Sequence, residues 1–171
     1  MKTMFALAAT AAIVIAAPAA AQAPTDPQIA HIAYTAGVLD VEAAHQALQI
    51  SHNSEVRAFA ETMVRDHEAV NQQALALVQR LHVTPEANPT STALTNQAHA
   101  THERLSHLTG AAFDRAYVDN EVAFHRTVNG ALRDTLIPNA HNADLKSLLE
   151  QGLTLFTEHQ THAEHLAQSL R

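Results

Sequence analysis

Residues 54–81 read SEVRAFAETMVRDHEAVNQQALALVQRL, and the spacing of their apolar positions decides the fold. Val56, Ala60, Met63, Val70, Ala74, Leu77 and Leu81 recur every three or four residues, the period of one face of an α-helix. His67 falls in the same stripe, where a core leucine belongs. Asn53 or Ser54 supplies the N-cap. At 1.5 Å per residue the stretch predicts a helix roughly 40 Å long.

The same period continues on both sides. Upstream, Asp26-Pro27 offers a cap and a first-turn proline for a helix carrying Ile29, Ile32, Ala36, Leu39, Ala43, Ala47 and Ile50 on one face and ending near Ser51. The very short join to the next helix makes the two antiparallel neighbours. Downstream, residues 84–92, with Pro85 and Pro89, interrupt the pattern. A shorter helix over about 91–108 follows, with Leu94, Ala98, Thr101, Leu105 and Leu108 on one side, before Gly110 stops it.

A fourth helix, over about 111–136, turns Val118, Val122, His125, Val128 and Leu132 inward. Phe113, Tyr117 and Phe124 widen its apolar face, and Pro138 ends it. Asn142 then caps a fifth, whose buried side is expected to carry Leu145, Leu148, Gly152, Leu155, His159, His162 and Leu166. Strand periodicity is almost absent. The reading is all-α: an antiparallel four-helix bundle with a short extra helix in the crossover.

The first 21 residues read as a signal peptide. Met1-Lys2 gives a positive start, residues 5–17 form an apolar run too short to span a bilayer, and Ala19-Ala20-Ala21 offers small residues for cleavage. A cut after Ala21 would leave Gln22 as the first residue, with no stable membrane insertion afterwards and a periplasmic location. An uncleaved anchor fits so short a run less well. The remaining 150 residues, 171 less 21, make one ordinary domain over residues 22–171.

The chain has no cysteine, so packing or a bound ligand must provide its stability. Its formal charge is −7, and loss of Lys2 makes it −8, leaving Lys146 as the only lysine. Such a surface excludes nucleic acid and anionic membrane as partners. Histidine, at 13 residues, outnumbers the 10 lysines and arginines together, so the charge should respond strongly to pH near the imidazole pKa of about 6.5.

His67, His125 and His159 each interrupt the apolar stripe of a different long helix. Inward imidazoles on separate helices are the parts from which metal sites in bundles are built. The competing reading is that each is a neutral core histidine, hydrogen-bonded to a group on the next helix. All three sit near mid-helix, which places them at one height. His159, His162 and His165, like His99 and His102, recur at three residues and read more simply as solvated faces. There is neither a nucleophile–base constellation nor a glycine-rich phosphate loop, so an enzyme is the weaker reading.

Val41-Glu42, Glu55 through Ala60 leading to Met63-Val64-Arg65-Asp66-His67, and Gly110 through Tyr117 (GAAFDRAY) ahead of His125 resemble the ferritin-like "domain of unknown function 4142" family, as do Asp144-Leu145-Lys146 and residues 155–159. The resemblance covers nearly all of residues 22–171. It implies an exported bacterial ferritin-like four-helix bundle of unassigned biochemical role, with acidic residues at the positions of Asp40 and Glu42. The family often has another acid just before the fourth helix's histidine, where this chain has Phe124.

Ferritin-like di-iron chemistry requires a Glu from each of two helices and a Glu-x-x-His from each of the other two. Here the only Glu-x-x-His is Glu42 to His45, and the residues three before His67, His125 and His159 are Val64, Val122 and Phe156. A single-ion site is easier to assemble. His67, His125 and His159, with Glu42 or Asp66, make a nitrogen-rich set suited to zinc, copper or iron as a divalent partner. The rival is a metal-free envelope stress or interaction module whose histidines are structural. A homodimer is left open.

Overall fold

The computed structural model describes residues 22–171, which are helical throughout apart from the connections. The expected signal peptide and its cleavage point lie outside the described residues. Helix α1 spans Asp26–Ile50, α2 Ser54–Arg80, α3 Pro89–Ser106, α4 Gly110–Ala131 and α5 Ala143–Ser169. Among the described residues no helix is long and apolar enough to cross a membrane.

Asparagine side chains start three of the helices. Asn53 accepts from the backbone N–H groups of Glu55 and Val56, Asn88 from Thr90 and Ser91, and Asn142 from Asp144 and Leu145, each satisfying donors that a helix start leaves orphaned. Because Asn88 caps and Pro89 occupies the first turn, α3 begins two residues before the sequence reading placed it. The expected cap Asp26 is replaced by Thr25. The Asp26 carboxylate instead accepts from the backbone N–H groups of His141 and Asn142, at 2.9 and 2.8 Å, tying the start of α1 to the loop before α5.

Gly110, with φ +55°, makes the turn from α3 into α4. After Ala131, α4 continues through a wider π turn at Leu132–Leu136, closed by a bond from the Ile137 N–H to the Leu132 carbonyl. Pro138, which has no N–H and would crowd the carbonyl of Asp134, follows in the short turn Ile137–Asn139.

The four long helices touch in a ring, α1 to α2, α2 to α5, α5 to α4 and α4 to α1, while α3 lies across α1 and touches α4. Two apolar clusters fill the interior. One contains Ala44, Ala47, Val56, Phe59, Ala60, Met63, Phe113, Tyr117, Val118, Ala163 and Leu166. The other contains Ile29, Ile32, Leu77, Leu132, Leu136, Leu145, Leu149 and Phe156.

Along every long helix the chain passes from one cluster to the other through buried polar residues. These are Asp40 on α1, His67 on α2, Glu121 and His125 on α4, and His159 on α5. The core is therefore two apolar halves with a polar layer between them.

Some faces differ from the expected stripes. On α5 the buried residues are Leu149, Phe156 and Ala163, whereas Leu148 and Leu155 are half-buried and His162 is exposed, its ring edge-on to Phe59 at 5.1 Å. Leu145, Gly152, His159 and Leu166 are buried as expected. Only the alternate positions move by one residue, so the face of α5 is turned by about half a residue step, roughly 50°, from the stripe read in the sequence. That turn brings Phe156 onto His67.

Candidate metal centre

Each interior histidine reaches the layer from its own helix, and the three rings form a nearly equilateral triangle. The centroids lie 5.7 Å apart for His67 and His125, 5.3 Å for His67 and His159, and 5.5 Å for His125 and His159. One nitrogen from each lies within 4.8 Å of the other two. Asp40, Glu121 and His125 form a second group of the same tightness.

The ring orientations have local causes. The His125 Nδ1–H donates to the Glu121 carbonyl at 3.0 Å, one turn back, so Nε2 is left with its lone pair facing the layer. The His159 Nε2–H donates to Asp66 Oδ2 at 3.1 Å, which leaves Nδ1 as the free nitrogen. Asp66 is gripped in turn by Arg65, whose Nε and Nη2 donate to its two oxygens at 2.7 and 3.0 Å. His67 is held by stacking, its ring 4.5 Å from that of Phe156 at an interplanar angle of 8°.

The layer is short of hydrogen-bond partners. Both carboxylate oxygens of Asp40, both nitrogens of His67, Nε2 of His125, Nδ1 of His159 and Oε2 of Glu121 are buried without one. Asp40 Oδ2 lies 3.5 Å from His67 Nε2 and 3.6 Å from His125 Nε2, too far for good hydrogen bonds. Buried polar atoms are nearly always satisfied, and each orphan costs about 1–3 kcal/mol. Among these orphans the Asp40 oxygens and one nitrogen from each imidazole offer lone pairs at one level, and those a cation would satisfy.

Burial also sets the protonation states. It pushes His67 down to about 4, against the pull of Asp66, and His159 down to about 4, against its hydrogen bond to Asp66. His125 is lowered by burial as well, with Asp40 opposing. At neutral pH all three imidazoles are thus uncharged, the form that binds a metal. Burial raises the Asp40 carboxyl to about 6, opposed by the nearby His125. Glu121 is pushed well above the usual carboxyl range, first by burial and then by the charge of Asp40. The layer therefore offers three neutral nitrogens, an ionised Asp40 at neutral pH and a Glu121 whose charged form is disfavoured by burial and by Asp40.

Of the residues singled out in the sequence, His67, His125 and His159 are brought together. Asp66 lies outside the triangle, half-buried, and acts on His159 from behind. Glu42 does not join them: it is exposed, two residues past Asp40 and so on another side of α1. Asp40, noted in the sequence only as an acidic position of the family and not as a ligand, and Glu121, which was missed, take the acidic places. Their spacing carried the signal, since Asp40 is four residues from both Ala36 and Ala44, and Glu121 is four from both Tyr117 and His125.

The chain belongs to the family described as Domain of unknown function (DUF4142), whose model matches residues 13–166. No curated protein matches it. Among solved structures the fold is similar to one titled "CopM in the Cu(II)-bound form", with a TM-score of 0.66 and 15% sequence identity, covering 88% of this chain and 100% of that one. At that identity the likeness speaks for the fold.

Proposed function

We propose that this member of the family is an exported, periplasmic transition-metal-binding protein built as a ferritin-like four-helix bundle, holding one divalent ion between His67, His125, His159 and Asp40. The observation that carries this is the buried triangle of imidazoles whose inward nitrogens, like both Asp40 oxygens, have no other partner. His125 has a single free nitrogen common to both ligand groups, so the layer takes one ion rather than two.

Three neutral nitrogens and a carboxylate suit zinc or copper(II), and iron less closely. Because the similar fold was solved with Cu(II), copper is the first ion to try. A bound ion would satisfy the orphaned donors and would be shielded by the two apolar halves of the core, which fits storage or carriage better than turnover.

Elemental analysis of untagged protein isolated from the periplasm tests the proposal. About one equivalent of copper or zinc per chain is expected. Metal-free protein that also takes up neither ion from buffer would overturn it in favour of a structural envelope module.

The role of Asp66 can be separated from that of the ligands. Asp66→Asn keeps the shape but weakens the hydrogen bond that fixes the His159 ring. Partners of this kind typically change metal affinity by about 10–100-fold. Competition with a chromogenic chelator should show a weakening in that range at unchanged stoichiometry. Loss of the ion altogether would make Asp66 a ligand, and no change would show that His159 needs no holding.

A further inference from the structure

Two cavities abut the polar layer, and they differ in chemistry. One, of about 140 Å³, lies among Ile32, Val70, Leu149 and Phe156, and meets His67 and His125 from within the second apolar cluster. Its walls are almost wholly apolar, and an ion passing along them would shed its water with nothing in exchange. The other is a cleft of about 470 Å³ between α1, α3 and α4.

The floor of that cleft includes Asp40 and Glu121, which are 2% and 1% exposed and carry oxygens without partners. Its walls include Glu42, His45, His99 and His102, all exposed. Glu42 and His45 are three residues apart on α1, and His99 and His102 three apart on α3. Those two helices are held together here by Gln46, whose side-chain amide donates to the His102 carbonyl at 2.9 Å. Donors of the kind that bind soft and borderline cations thus run from solvent to the one buried carboxylate that faces two of the interior imidazoles.

We propose that this cleft is the ion's way in and out: Glu42, His45, His99 and His102 form a weak outer docking station for a divalent transition-metal ion, and Asp40 passes it to His67, His125 and His159. This rests on the metal-binding reading above and adds its route. It gives the exposed histidines of α3 a function apart from the interior trio. It also explains why α3 lies over the α1–α4 side of the ring, where it supplies one wall of the cleft. Clefts lined with complementary groups raise local ion concentration and association rates by about 10-fold or more.

The route can be tested by mixing metal-free full-length protein with Cu²⁺ alone in a stopped-flow instrument, following the near-ultraviolet charge-transfer absorption that appears when imidazole nitrogen binds copper(II). Loss of copper to excess chelator is then timed. Two variants are compared with the unaltered protein: Ala98→Trp, which fills the cleft from α3, and the triple variant His45→Ala/His99→Ala/His102→Ala, whose changes are all at exposed positions. Both should still bind one tightly held copper.

In the triple variant association should fall about 10-fold. In Ala98→Trp both association and release should slow together, with their ratio unchanged, because a blocked path hinders both directions. Unchanged rates in the triple variant overturn the docking station. Unchanged rates in a folded Ala98→Trp protein overturn the route while leaving the interior site standing. Absence of tight stoichiometric copper in the unaltered protein overturns the metal-binding reading and the route with it.

Discussion

His67→Ala should abolish stoichiometric copper or zinc binding and with it all stabilisation by added metal. In the unaltered protein, an ion present at about a thousand times its Kd would raise stability by about 4 kcal/mol, because it binds the folded state alone. For a chain of this size that is a rise in Tm of roughly 10 °C. The variant lacks one corner of the imidazole triangle, and its shift should be close to zero. Without metal it should lose only about 1–3 kcal/mol, from the packing of the ring on Phe156. Thermal unfolding of both proteins with metal and with chelator separates the two effects. Equal metal-induced shifts would exclude His67 as a ligand.

Asp40→Asn should move stability in the opposite direction while weakening the site. Asp40 is 2% exposed and without a hydrogen bond, and burial raises its carboxyl to about 6 from a usual value of 3.8. The sign follows from where the proton is bound. Well below 3.8 the carboxyl is protonated in the folded and unfolded chains alike, and its burial is cheap. Between about pH 4 and 6 the unfolded chain gives up this proton while the folded chain keeps it, so stability falls until, above 6, the folded chain holds a buried charge. At about 1.4 kcal/mol per unit, the loss is about 3 kcal/mol above pH 6.

Asparagine has the same shape, no charge, and an amide that can donate toward the facing nitrogens of His67 and His125. Metal-free Asp40→Asn should therefore be more stable than the parent by about 3 kcal/mol at pH 7.5, with the gain shrinking to about 0.5 kcal/mol at pH 4. Its copper affinity should fall, since a neutral amide is a poorer ligand than a carboxylate. Urea unfolding at the two pH values checks this. A difference that is the same at both would mean that the Asp40 charge is not what destabilises the layer.

How much of this could be read in the chain depended on the kind of signal. The helices were legible because buried-side residues repeat every three or four positions along each long one and because Asn53, Asn142 and Pro138 mark ends by local chemistry. Departures came at boundaries and face edges. Thr25 took the capping role expected of Asp26, whose carboxylate found a better use across the molecule, and α5 turned far enough to exchange Leu155 for Phe156.

Three interior histidines stood out because imidazole is conspicuous in a leucine stripe. Asp40 and Glu121 did not, since acids on a helix ordinarily face water and each is followed by a valine, Val41 or Val122, that could equally have been buried. Glu42 drew attention through its spacing to His45, a pattern that pointed to the outer cleft and not to the centre. Only the height at which α1 meets α4 brings Asp40 to His125, and that is set by tertiary packing.

The polar layer has a further bearing on how this bundle finds its alignment. Its apolar halves are rich in alanine and leucine, and such surfaces would tolerate neighbours displaced along their axes by one turn, about 5.4 Å. The hydrophilic storey does not. Sliding α2 by a turn would take His67 out of line and bring Met63 or Asn71 opposite Asp40, leaving the imidazole among hydrocarbon side chains and the carboxylate with His125 alone before it. Each helix carries its interruption at one place, so only one vertical setting stacks all four. In this way the costliest stratum of the core acts as a latch: it discriminates against near-native slippage, the error to which a repetitive helical interior is most exposed.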